Sequence, residues 1–221
     1  MVVGVEPDSG QGPQKRPRRR QSTKQSARKH GAVAPVEAQA PHERLLAVAC
    51  EMFCRDGVHA TGIDRILATA GVSKMTLYAH FGSKDGLLRE VLHREGAAWR
   101  AEFAACLDAA GTDAGTRLAA IPAALRTWFE GGRFFGCAFM NAAAEHTKGE
   151  PWLRAMAAEH HRQILEHLGR LAAEAGHAEP AILARQILLL VDGAIAALMV
   201  SGDPAVLDIT ARNLRAVLAA G

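Results

Sequence analysis

The stretch Val72-Ser73-Lys74-Met75-Thr76-Leu77-Tyr78-Ala79-His80-Phe81, bounded by Ala70-Gly71 on one side and Gly82-Ser83 on the other, decides the fold of this chain. Ser73 offers a hydroxyl that can satisfy the free amides of a first turn, and Gly82 can end the run, so a short helix over 74–81 is expected. Helical spacing puts Leu77 and Phe81 on one face, where they can anchor the helix, while Lys74, Met75, Tyr78 and Ala79 project elsewhere. One cation, one flexible apolar chain, one phenol and one small residue form a strip that suits a major groove with phosphates at its edges. An ordinary solvated face has the same composition, so the strip alone leaves both readings open. Just upstream, Thr61-Gly62-Ile63-Asp64 sets a hydroxyl three residues before an acid, in the manner of a capping box. It would start another short helix, carrying Ile63, Ile66 and Leu67 and ending at Ala70-Gly71. Two short helices joined by a tight glycine turn follow the grammar of a helix-turn-helix.

Outward from this motif the helical periodicity persists. Leu45, Leu46, Val48, Ala49, Met52 and Phe53 mark a first helix from His42 to Asp56, with Gly57 placed to supply a left-handed C-cap. A long helix is expected from Lys84 to Ala110, and further helices over 116–130, 137–146, 151–175, 180–200 and 204–220. Three of these open on Pro151, Pro180 and Pro204, where a first turn tolerates proline. Hydrophobic residues make up 49% of the chain, enough for a real core, and aromatics only 5%, so strand-forming runs are lacking and helix is favoured throughout. The expected fold class is all-α: an N-terminal three-helix helix-turn-helix domain at 41–88 and a C-terminal helical domain at 89–221.

Charge is unevenly placed. Residues 1–40 hold eight Lys and Arg against three acids, which leaves 18 basic and 20 acidic residues for the rest. Lys15, Arg16, Arg18, Arg19 and Arg20 sit among Gly, Pro, Ser and Gln with little to bury, the composition of a disordered basic arm. A solubilising tail and an arm that tracks DNA are equally open. The slightly acidic remainder excludes a body that coats nucleic acid through bulk charge, so any DNA contact must be local. With 20 Arg against 6 Lys and abundant Ala, the bias is that of a GC-rich bacterial coding sequence rather than a nuclear address.

Cys50, Cys54, Cys106 and Cys137 lie in apolar helical patterns without a paired CxxC motif, as buried thiols of a reducing compartment do. His146, His160, His161 and His167 have no recognised ligand spacing, so neither a metal nor another cofactor is expected. Val2 to Asp8 lacks the basic start and apolar run of a signal peptide. The apolar stretch Ile187 to Val200 is interrupted by Asp192 and Gly193 and falls short of a bilayer span; it reads as a buried helix, with no membrane partner and a cytoplasmic location. No nucleophile–base pair, phosphate loop or carboxylate pair supports an enzyme.

The run Ala60-Thr61-Gly62-Ile63-Asp64-Arg65-Ile66, followed by Ala70-Gly71-Val72-Ser73-Lys74-Met75-Thr76-Leu77-Tyr78 and His80-Phe81-Gly82-Ser83-Lys84, resembles the TetR family of regulators across residues 42–92. The resemblance implies that Thr61, Thr76, Tyr78, His80 and Lys84 hold phosphates while Lys74, Met75 and Ala79 face base edges. Lys84 also opens a helix, whose free amides and positive dipole end favour an anion. Two departures stand out: Gly62 occupies a place where the family usually has Ser or Thr, and Met75 replaces a small residue. The resemblance further implies a homodimer on a pseudo-palindromic double-stranded operator, acting as a repressor and released by a small-molecule effector.

Bulky residues of the C-terminal domain are the candidates for the effector pocket: Trp99, Phe103, Trp128, Phe139, Trp152 and Met156, with Asn141 and His160 as polar handles. Each also reads as plain core. The helix over 180–200 is apolar on most faces and needs partners on both sides; with Leu207, Leu214 and Leu218 it would form the four-helix dimer contact that the resemblance implies. The competing expectation is an architectural DNA-binding protein of the same fold without an effector, marked by a collapsed interior and no operator preference.

Overall fold

The computed structural model describes residues 40–146 and 150–220. The basic arm expected over 1–40 therefore lies outside the described residues, save Ala40. Among the described residues the chain is all-α, without a strand. In order the helices are α1 (Pro41–Asp56), α2 (Ile63–Ala70), α3 (Lys74–Phe81), α4 (Lys84–Ala110), α5 (Ala114–Ala119), α6 (Ile121–Glu130), α7 (Ala138–Glu145), α8 (Pro151–Glu174), α9 (Pro180–Ser201) and α10 (Ala205–Ala220).

Two apolar cores organise them. In the head, Leu45 and Phe53 of α1, Ile66 of α2, Leu77 of α3 and Leu87, Leu88, Val91 and Leu92 of α4 pack together. In the body, Phe103 and Leu107 of α4 join Leu118, Leu125, Leu168, Ile187 and Leu214 from α5, α6, α8, α9 and α10. Full burial of each such side chain is worth about 1.5–3 kcal/mol relative to exposure. The 27-residue helix α4 thus belongs to both cores, a rod of about 40 Å at 1.5 Å per residue. A second link is local: the Glu145 carboxylate at the end of α7 accepts a hydrogen bond from the His59 amide, 2.7 Å away, in the loop between α1 and α2.

Several sequence expectations need correction. Helix α2 begins at Ile63 with Gly62 as N-cap and no side-chain cap, so Thr61 does not close a capping box. Gly57 ends α1 with φ 87° and ψ 159°, a positive φ but not the left-handed helical cap. The single helix expected over 116–130 is two, α5 and α6, separated at Ala120. Pro122 sits in the first turn of α6, where its missing N–H costs nothing; inside one continuous helix it would have removed a hydrogen bond and struck a carbonyl. Leu207 and Leu214, expected at a dimer contact, are buried within the chain's own body core. Helix α9 runs for 22 residues and, among the described residues, is the one helix long and apolar enough to cross a membrane by length and composition. It is longer than the apolar run suggested, and Leu183, Ile187, Val191, Ile195 and Leu198 tie it into the body core.

Candidate nucleic-acid interface

Helix α3 is held by its two ends and one leucine. Ser73 accepts from the Thr76 amide at 3.2 Å, and the Gly82 amide, at φ 72°, donates back to the Tyr78 carbonyl at 3.2 Å. Leu77 is completely enclosed in the head core, with Phe81 half-buried beside it. The pinning of one face leaves the other outside: Lys74, Ala79 and His80 are exposed, Met75 is 80% exposed and Tyr78 51%. A methionine and a tyrosine held in water at this level are apolar surface without an intramolecular use.

The surrounding polar groups are arranged toward the same helix. Lys74 Nζ lies 3.8 Å from Asp64 Oδ1 of α2, an exposed pair that contributes little to stability but holds the amine near the turn. The Thr76 hydroxyl is 3.1 Å from Ser73 Oγ. The His80 ring stacks on His42 of α1, with centroids 4.5 Å apart. Arg44 Nε donates to the Ala70 carbonyl at 3.3 Å, which fastens α1 to the turn between α2 and α3. Ser83 caps α4 by accepting from the Gly86 amide at 3.0 Å, and the half-buried Lys84 carries its ammonium 5.9 Å from the Phe53 ring centre.

Thr61 departs from the expected set. It is fully buried, and its hydroxyl donates 2.6 Å to the Gly57 carbonyl. A side chain so enclosed pins the loop between α1 and α2 and offers no hydroxyl to a phosphate. Conversely, the sequence reading missed His42, whose only signal was its place in the first turn after Pro41.

The interior candidates divide in two. Trp99 and Phe103 stack with centroids 4.8 Å apart, Trp128 meets Trp99 edge-on at 5.8 Å, and His160 lies 6.0 Å from Trp99 and stacks on Phe139 at 4.3 Å. These five form one aromatic cluster bridging α4, α6, α7 and α8. The expectation that Asn141, Trp152 and Met156 join them is corrected. Asn141 donates to the Phe135 carbonyl at 2.8 Å and lines a separate cleft of about 360 Å³ with Phe53, Cys54 and Glu145. Trp152 and Met156 pack on the head core, where the Arg89 guanidinium covers the indole at 3.9 Å.

Arg100, absent from the sequence-based set, places Nη1 2.7 Å from His160 Nδ1. A guanidinium can only donate, so the imidazole accepts through Nδ1 and is neutral. Burial, and next the Arg100 charge, depress His160 from 6.5 to about 4. Desolvation likewise pushes the Cys54 thiol up to about 12 and raises Cys50 and Cys137, which keeps them unreactive thiols.

Comparison with known proteins bears on both halves. The family description "Bacterial regulatory proteins, tetR family" matches residues 45–91, and "Tetracyclin repressor-like, C-terminal domain" matches residues 114–214. The crystal structure of SCO4454, a TetR-family transcriptional regulator from Streptomyces coelicolor, superposes with a TM-score of 0.73 at 32% identity, covering 81% of this chain and 94% of that one. The chain belongs to the TetR family.

As a TetR-family protein it is a DNA-binding transcriptional regulator with an N-terminal helix-turn-helix. Its head is 51% identical over 51 residues to the transcriptional activator FasR of Mycolicibacterium smegmatis, 23% of either chain. It is 34% identical over 61 residues to the transcriptional regulator QacR of Staphylococcus aureus, 28% of this chain and 32% of that one. The chain thus spans less than a third of the length of these curated relatives.

Proposed function

We propose that this TetR-family regulator binds a pseudo-palindromic operator as a homodimer, acts as a repressor and is released by a small apolar, aromatic-compatible effector. The observation that carries the DNA half is the outward side of α3, where Lys74, Met75, Tyr78 and Ala79 stand free around a helix anchored by Leu77. Lys74, Met75 and Ala79 face base edges; Thr76, Tyr78, His80 and Lys84 take phosphates.

Dimerisation is supported by an apolar stripe on α9. Ile182, Leu189 and Val200 are 49%, 74% and 91% exposed, with Gln186 and Gly193 at the same helical spacing between them. Pairing of two such stripes would bury them and set the two α3 helices about 34–36 Å apart, one turn of B-form DNA. With chromosomal DNA as its partner, the protein works in the cytoplasm.

The effector site is the aromatic cluster of Trp99, Phe103, Trp128, Phe139 and His160. A flat molecule inserted there must displace Phe139 or His160, and His160 is hydrogen-bonded to Arg100 on the α4 rod that also enters the head. Release requires that the molecule favour the displaced state; a hundredfold loss of operator affinity corresponds to about 2.7 kcal/mol of coupling.

The test is selection of bound duplexes from a random pool by the purified protein. Enrichment of an inverted repeat with half-sites one helical turn apart is the expected result. An unenriched pool would leave no operator and refute the regulator mechanism. For the effector half, compounds that raise the melting temperature should include some that weaken the selected duplex; if every stabilising compound leaves operator affinity unchanged, the sensing role is wrong.

A further inference from the structure

We propose that the aromatic cluster of the body takes an aromatic carboxylate, whose ring enters among Trp99, Phe103 and Phe139 and whose acid group is held by Arg100. The proposal rests on the effector role of that cluster argued above and names the chemical class. The ring is the apolar, aromatic part of such a molecule, and the carboxylate is its one charge.

The site is built on one face of α4. Gly96, Trp99, Arg100 and Phe103 follow one another at helical spacings that bring their side chains together on neighbouring turns. Gly96 is buried, and a Cβ there would stand 2.8 Å from a Phe139 ring carbon and 3.0 Å from Arg100 Nη1. The missing side chain lets the Phe139 ring and the guanidinium lie together over the helix. Trp99 stacks on Phe103, while His160 stacks on Phe139 and accepts from Arg100. Cation and aromatic platform therefore share one place.

Charge decides which aromatic molecule fits. Among the described residues the half-buried Arg100 has no carboxylate partner, and its hydrogen bond goes to a neutral ring, that of His160. The acids nearby are engaged elsewhere. Both Glu159 oxygens accept from Arg162, at 2.7 and 2.6 Å, and one accepts also from Gln163 at 2.6 Å, while Asp192 lies 3.5 Å from His161. Burial lowers Arg100 from its ordinary value, with Glu159 acting in the opposite sense; a guanidinium nonetheless stays charged at neutral pH. A half-buried cation without an anion beside it repels a cationic ligand and gains most from an anionic one.

Insertion sharpens this requirement. A flat molecule that pushes His160 aside takes from Arg100 its acceptor, and a partly buried donor left unpaired is costly. A ligand carboxylate replaces the lost acceptor and can take two parallel N–H bonds from the planar fork. A cationic aromatic molecule offers no such compensation, and a neutral amide offers only an uncharged oxygen.

The test titrates the full-length chain at neutral pH with 2-naphthoate and with 2-naphthamide, matched in ring and differing in charge, by calorimetry. The wild type should bind the acid about 10- to 100-fold more tightly than the amide, the range expected for a charge-assisted pair. In Arg100→Gln the acid should fall to the affinity of the amide, while the amide should change little. Arg100→Lys keeps the charge but loses the fork; it should bind the acid more weakly than the wild type, and it keeps the test open should Arg100→Gln fail to fold.

Equal affinities of acid and amide for the wild type would overturn the proposal, as would undiminished affinity for the acid in either folded variant. If neither probe binds at millimolar concentration, the effector reading of the cluster fails and this proposal with it. If the amide binds as well as the acid or better, only the carboxylate assignment fails.

Discussion

Replacing His160 by Asn should flatten the acid limb of the stability curve. The imidazole is 5% exposed, stacks on Phe139, and accepts from Arg100 at 2.7 Å through Nδ1. Protonation would remove that acceptor and place a cation beside the guanidinium. With its value lowered from 6.5 to about 4, the unfolded chain binds more protons than the folded one between those two pH values. The contribution is thus complete above pH 6.5 and is lost as the pH falls toward 4. At 1.36 kcal/mol per unit the full loss approaches about 3 kcal/mol, of which about 2 kcal/mol is gone by pH 5. The Asn amide oxygen can keep an acceptor toward Arg100 but does not titrate. Urea unfolding from pH 7.5 to 5 should show the wild type losing about 2 kcal/mol more than the variant. Parallel curves for the two proteins would refute the assignment of His160 as a buried neutral acceptor.

Three further substitutions probe other contacts. Thr61→Val should cost about 1–3 kcal/mol by leaving the Gly57 carbonyl unpaired, with Thr61→Ser recovering most of it; unchanged melting together with weakened DNA binding would return Thr61 to the phosphate set. In Gly96→Ala the new Cβ stands 2.8 Å from a Phe139 ring carbon, so overpacking of about 1–3 kcal/mol should outweigh the helix-propensity gain of about 1 kcal/mol. A raised melting temperature would show that α4 and α7 are not in close register. Leu189→Glu should convert the dimer to a monomer in sedimentation equilibrium, and a variant that remains dimeric would move the interface away from the α9 stripe.

Helix α3 was legible because its limits are written in local chemistry. Ser73 supplies the cap, Gly82 the stop and Leu77 the anchor, and the observed α3 spans Lys74 to Phe81 as that chemistry requires. Thr61 misled because hydroxyl spacing is the same whether the oxygen caps a helix or reaches inward. Here the Gly57 carbonyl, left over at the end of α1, captures it. The division of the aromatic residues was not legible at all. Trp99 and Trp152 have the same burial propensity, and which core each joins depends on how α4 and α8 cross, a tertiary fact without a local signature. Arg100 was hidden for a related reason, since one arginine on a long helix looks solvated until its neighbour on α8 is known. Pro122, by contrast, was a readable signal for the break between α5 and α6.

The most direct test of the central claim is a paired measurement on Tyr78→Ala: affinity for the selected operator at fixed salt, and thermal melting of the free protein. With the ring 51% exposed on the outward side of α3, affinity should fall about tenfold, equivalent to about 1.4 kcal/mol, with the melting temperature nearly unchanged. Operator affinity equal to wild type, accompanied by a large drop in melting temperature, would make Tyr78 a packing residue and contradict a DNA-reading role for that face.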